Sequence, residues 1–148
     1  MIELDRLARS VVECCAEASA LEELAVPDAT VLRIAPDQAM LVGEAGREGA
    51  LLDGALRSLG PHALVEDATD GWIAWVLRGD DLLRAFSFLS RLEPPGEGFI
   101  QGDVARVPVK VISSPGRLEL LVASMWSEHL RDRIVRRCAS CGVEEVRA

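Results

Sequence analysis

DATDGWIAWVLRGDDLLRAFSFLSRLEPPGEGFIQGDVARVPVKVI, residues 67–112, and RLELLVASMWSEHLRDRIV, residues 117–135, read in order as strand, helix, strand, strand, helix. A short strand at Val143 to Val146 completes a split βαβ pattern, βαββαβ, over residues 70–146. From Trp72 to Leu77 both alternating sets are apolar, so this strand belongs inside a sheet covered on both faces. The helix that follows starts at Asp80 or Asp81 and places Leu82, Ala85, Phe86, Leu89 and Leu92 on one face, with Pro94-Pro95-Gly96 as its stop. Val107, Val109 and Val111 alternate with Arg106, Pro108 and Lys110, which predicts a strand wet on one face, and Pro108 places it at an edge. Leu118 to Ala123 is more apolar and reads as a central strand. Ser127 and Glu128 open a helix that buries Leu130, Ile134, Val135 and Cys138, with Gly142 as its cap.

Working outward, the stretch from Ile2 to Leu24 sets Leu4, Leu7, Val11, Cys14, Ala18 and Leu21 at spacings of three and four, which predicts an amphipathic helix over 1–26. Residues 28–66 read as strand, strand, helix, strand. The strands fall at Thr30 to Ile34, Ala39 to Val42 and Ala63 to Val65; the helix runs from about Gly46 to Leu59 with Leu52, Ala55, Leu56 and Leu59 on one face. Two helices cover only one face of a four-stranded sheet, so this unit is expected to cover the other. The expectation is an α+β chain, ferredoxin-like, forming one compact domain over 1–148.

Charge narrows the function classes. The formal net charge is -8, and it is uneven: residues 1–77 carry 14 acids and 5 bases, residues 78–148 carry 10 acids and 11 bases. Nucleic-acid binding needs a basic footprint that displaces counterions from phosphates, and an acidic chain with a single Lys lacks one. No apolar run approaches the roughly 20 residues that cross a bilayer, and the acid-dotted first segment does not resemble a signal peptide. A cytoplasmic protein with no membrane role is expected. Cys14-Cys15 and the single CxxC at Cys138 and Cys141 lack a second paired half for zinc, so no metal site is expected and the thiols read as small apolar residues.

Four stretches carry a family resemblance. DATDGW at 67–72 resembles an acidic turn into an apolar strand, GDDLL at 79–83 a helix opening, GFIQGDVA at 98–105 before VPV at 107–109 a strand with a Gly-rich approach, and LELLV at 118–122 with SMWS at 124–127 the next strand and turn. Together they resemble the gamma subunit of heterotetrameric sarcosine oxidase, a relative of the folate-binding domain of glycine-cleavage aminomethyltransferase. The resemblance covers about half the chain. It implies a non-catalytic small subunit of a complex that oxidises N-methylated amino acids and is linked to tetrahydrofolate, with flavin on sister subunits. It also points to Asp67, Thr69, Asp70 and Trp72 as candidate ligand residues. The acidic base of the aminomethyltransferases has no counterpart here, and no catalytic residue is assigned.

Each of these residues also has an ordinary reading. Asp67, Thr69 and Asp70 before Gly71 make a turn; Trp72 and Trp75 point to opposite faces and fill a core. Arg131, Arg133, Arg136 and Arg137 form the one basic cluster, favoured at a helix C-terminus. Trp75, Arg133 and Arg137 are the candidate interface residues. His62 and His129 stand in different elements and read as surface histidines. Two alternatives remain: a stand-alone folate-binding one-carbon protein, and a small-molecule-sensing ferredoxin-like module acting as a homodimer. An RNA-recognition sheet is disfavoured because Leu118 to Ala123 lacks stacking aromatics.

Overall fold

The doubly apolar strand sits where its composition demands. In the computed structural model, which describes residues 1–146, Trp72–Gly79 is an inner strand of a six-stranded sheet. The chain forms two compact units, where one domain was expected. The first comprises Met1–Leu7 with Ile73 onward, and the second Ala8–Trp72.

The first unit contains strands β1 (Ile2–Leu7), β6 (Trp72–Gly79), β7 (Gly98–Val104), β8 (Val107–Ser114), β9 (Arg117–Ala123) and β10 (Val143–Val146), in the spatial order β10-β1-β6-β9-β8-β7. Its helices are α3 (Leu82–Ser87) and α4 (Ser127–Arg137). The element order from β6 to β10 is that of a ferredoxin-like split βαβ unit, with β6 and β9 adjacent at its centre and β1 inserted beside β6. Trp75, Leu77, Val109, Val111, Leu120 and Val122 form one core with Phe86, Leu130 and Ile134 from the helices. Ala74 and Val76, on the alternate set of β6, are buried as well.

The second unit is a four-stranded sheet, β3-β4-β2-β5, built from β2 (Arg9–Cys15), β3 (Thr30–Ala35), β4 (Gln38–Glu44) and β5 (Leu64–Asp67). Helices α1 (Ala18–Glu22) and α2 (Glu48–Leu59) cover it, with Leu21, Leu51 and Ala55 packed on Val12, Cys14 and Leu41.

Four expectations are corrected. The N-terminal helix over 1–26 is replaced by β1, β2 and the short α1. Ile2 and Leu4 are buried at period two, and the β-branched pair Val11-Val12 suits a strand, so the three-and-four spacing of Leu4, Leu7 and Val11 was a coincidence of two strands meeting at Ala8. Non-local pairing decides it: β1 runs antiparallel to β6 and parallel to β10, and β2 is antiparallel to both β4 and β5. Second, β8 is not an edge, because Gly98–Val104 pairs along its free side. Pro108 is tolerated because pairing with β9 begins only at Val109, leaving Pro108 opposite Asp103 alone. Third, α2 buries Leu51 and Ala55 with Leu52 and Leu59 packed beside them, while Leu56 is 45% exposed, so of the expected face only Leu56 turns outward and Leu51 takes its place inside. Fourth, α4 ends at Arg137, and a 3-10 turn, Ala139–Cys141, separates it from Gly142.

Two backbone positions fix the junctions of the first unit. Gly79 has φ +151, and a Cβ there would lie 2.6 Å from the Met1 carbonyl oxygen. Ile2 N–H donates to the Gly142 carbonyl at 2.8 Å, anchoring β1 between the helix end and β6.

Candidate functional site

The turn Asp67 to Trp72 begins at the last residue of β5. Asp67 Oδ1 accepts the Thr69 N–H at 3.0 Å. Thr69 Oγ1 accepts the Val11 N–H at 3.1 Å and lies 3.3 Å from the Val11 carbonyl, to which it donates; the Ala68 N–H donates to the same carbonyl at 2.9 Å. Thr69 thus stitches the turn to β2. Hydrogen bonds from the Thr69 side chain and backbone hold the Asp67 carboxyl below the usual carboxylate range. Asp67 Oδ1 is engaged within the turn and the Thr69 hydroxyl on β2. Asp70 is exposed and Trp72 half-buried.

Trp75 does not reach an interface. It is 7% exposed in the first core, and its indole Nε1–H is shared between the Ser127 carbonyl at 3.0 Å and Ser127 Oγ at 3.2 Å. It ties the centre of β6 to the first turn of α4. The reason is chemical: a buried indole N–H requires an acceptor, and a helix-opening serine supplies two.

At the C-terminal end of β6 lies a cleft of about 350 Å³, bounded by Asp80, Asp81 and Arg84 at the start of α3, Pro95, and the β8–β9 turn at Ser114. The Ser113 hydroxyl donates to the Pro95 carbonyl, bracing the far wall. The lining holds Ser113 and Ser114 with the carboxylates of Asp80 and Asp81, and no His, Cys or Lys. Two exposed aspartates disfavour anions there.

The cysteines are free thiols. Burial, with Cys15 and Glu13 adding, pushes the Cys14 thiol up to about 11; burial, with Cys141 adding, does the same for Cys138, whose Sγ donates to the Ala85 carbonyl at 3.4 Å. Among the described residues no group of three His, Cys, Asp or Glu could hold a metal ion, and no helix is long and apolar enough to cross a membrane.

The basic cluster lies on α4. Arg131 makes a two-pronged pair with Glu145 of β10, at 2.6 and 2.8 Å, and a bond of 2.8 Å to Asp132. Arg133 is half-buried, Arg136 and Arg137 exposed. At the head of the helix Met125 is 82% and Trp126 44% exposed, and the Trp126 ring meets the exposed His129 edge to face at a centroid distance of 5.8 Å. Met125 and Trp126 were not singled out from sequence as surface residues, although two large apolar side chains following a complete strand carry that signal. Glu119 was also missed. It is 2% exposed in the apolar run LELLV, and Arg117, two residues earlier on the same strand face, pairs with it at 3.0 Å.

The architecture defines an α+β protein whose first unit is a ferredoxin-like split βαβ sheet enlarged by β1 and β7. No protein-family model matches the chain, and no curated protein matches it in sequence. Solved structures match it in fold. A chain of heterotetrameric sarcosine oxidase from Corynebacterium sp. U-96, in complex with pyrrole 2-carboxylate, is 18% identical with a TM-score of 0.80, covering 99% of this chain and 88% of that one. Glycine cleavage system aminomethyltransferase T from Bartonella henselae is 15% identical with a TM-score of 0.68, covering 98% of this chain and 47% of that one. The ligand-free regulatory subunit of aspartate kinase from Thermus thermophilus is 13% identical with a TM-score of 0.51, covering 93% and 97%. At these identities the likeness is one of fold.

Proposed function

We propose that the chain is a non-catalytic small subunit of a sarcosine-oxidase-like complex, one that oxidises N-methylated amino acids and is linked to tetrahydrofolate. The observation that carries this reading is the likeness, over nearly the whole of both chains, to a chain of a heterotetrameric oxidase. The likeness to aminomethyltransferase T, across about half of that protein's length, supports the one-carbon theme. Flavin belongs to the sister subunits in this reading, and folate is not assigned to the Asp67 to Trp72 turn.

The test is co-expression of the full chain with any flavin-containing amine oxidase subunits that neighbouring genes encode, followed by mass-resolved sizing. A stoichiometric flavin-containing complex supports the subunit reading. A monomer or homodimer that ignores those subunits defeats it. Titration with tetrahydrofolate then separates a stand-alone one-carbon protein from a sensing module, the second reading, which the likeness to an aspartate kinase regulatory subunit favours.

A further inference from the structure

Helix α4 turns a distinctive face outward. At about 100° per residue, Trp126, His129, Arg133, Arg136 and Arg137 fall within roughly a third of its circumference. The adjoining side, about 110° further round, holds Ser127, Leu130, Ile134 and Cys138, all buried. Arg131, which points away from this face, takes up Asp132 and Glu145. Among the described residues, Arg133, Arg136 and Arg137 have no carboxylate within ion-pair distance.

Only part of that arrangement is favoured in the isolated chain. Arg136 and Arg137 suit the helix C-terminus, but Arg133 and Arg137 stand at i and i+4, where like charges oppose helix formation. They do so in a chain with 24 acids against 16 bases, which had carboxylates to spare. Beside them Met125 and Trp126 leave large apolar surfaces in water. Exposed Trp, Met and Arg in one patch, with the Trp126 ring already oriented by His129, have the composition of an interface centre.

We infer that this face, Met125 and Trp126 at its head and Arg133, Arg136 and Arg137 along its length, docks the chain onto an acidic patch of a different subunit. The inference rests on the subunit reading above and names the surface that reading requires. A second copy of the chain is the poorer occupant. A two-fold dimer centred on this face would set the arginine cluster against itself, between two bodies each of net charge -8. Carboxylates on a partner neutralise the arginines, and an apolar hollow receives Trp126.

The experiment measures affinity between the full chain and the isolated flavin-containing subunits, for the wild type, the double variant Arg133→Glu with Arg137→Glu, the single variants Arg133→Glu and Trp126→Ala, and Arg57→Glu on α2 as the control. The expected result is binding weakened about tenfold or more by the double variant and by Trp126→Ala, unchanged for Arg57→Glu. Wild-type binding falls with added salt, and the double variant's salt dependence is flatter. Thermal unfolding of each isolated variant provides a readout that a merely structural role would move the other way. Arg133→Glu creates a Glu–Arg pair at i and i+4 with Arg137, so its melting temperature is unchanged or higher while its binding is weaker. Undiminished binding by the double variant and Trp126→Ala overturns the inference while leaving the subunit reading intact. A wild-type homodimer broken by the same changes also overturns it, and failure of the wild type to bind any such subunit removes the subunit reading itself.

Discussion

Thr69 carries more of the second unit than its position in a surface turn suggests. Its hydroxyl closes two hydrogen bonds with the Val11 backbone, and its own N–H is held by Asp67. Thr69→Val keeps the shape and removes the hydroxyl. It is expected to cost about 1–2 kcal/mol in urea unfolding, since the Val11 groups lose a partner, and to let the Asp67 carboxyl rise toward its ordinary value in a carbon-detected NMR titration. No change in either quantity would mean that the turn is held by its backbone alone. Cys14 gives a second residue-level test. Its folded pKa is raised from an ordinary 9.0 to about 11 by burial, so the folded state retains a proton that the unfolded state gives up. Stability from this group is therefore complete below pH 9 and lost as pH rises toward 11. Native protein should show a falling denaturant midpoint across that window, and Cys14→Ala a shallower fall; equal slopes would contradict the assignment. Both residues were noticed in the sequence, but the partners that give them these properties, Val11 and the core of the second sheet, come from distant strands.

At the scale of elements, what the sequence revealed depended on how local each element's cause was. The strand Trp72–Gly79, the strand Arg117–Ala123 and helix α4 announce themselves by periods of two and 3.6, and their buried residues follow from those periods. The first fifteen residues do not. Leu4, Leu7, Val11 and Cys14 satisfy a helical spacing, yet they belong to two strands held by pairing with β6, β10, β4 and β5. Periodicity in a window cannot register a partner seventy residues away. Strand β7 escaped for a different reason. Gly98 and Gly102 dilute its pattern, and the turn into β8 uses Ala105 and Arg106 at φ 51 and 68, where Gly or Asn is the usual signal. The candidate site was legible only in part: the Arg cluster was visible as charge, whereas Met125 and Trp126 looked like any apolar residues until the fold left them outside. Trp75 shows the reverse, an interface candidate that the fold takes inside. Trp75→Phe removes the indole N–H that links β6 to the opening of α4. The expected loss is about 1 kcal/mol in chemical unfolding, from the lost hydrogen bond to Ser127, and faster hydrogen exchange in the first turn of α4. A variant that matches wild type in both measurements would show that the link is dispensable.

For the whole molecule, the two units have separate cores, one around β6, α3 and α4 and the other around β2, β4 and α2. Acids outnumber bases in the first half of the sequence, and Arg133, Arg136 and Arg137, with no carboxylate in ion-pair distance among the described residues, lie on one helix of the second. A fold like that of a chain of a heterotetrameric oxidase and an aromatic and cationic helix face left in solvent converge on the assembly role proposed above. That convergence is what fold alone cannot supply, because the same split βαβ order serves regulatory modules as well. The most direct test is the mass and flavin content of particles recovered when the full chain is co-expressed with flavin-containing amine oxidase subunits. The account predicts a single complex containing this chain in fixed stoichiometry with bound flavin; recovery of the chain as a stable, flavin-free monomer or homodimer, apart from those subunits, would contradict it.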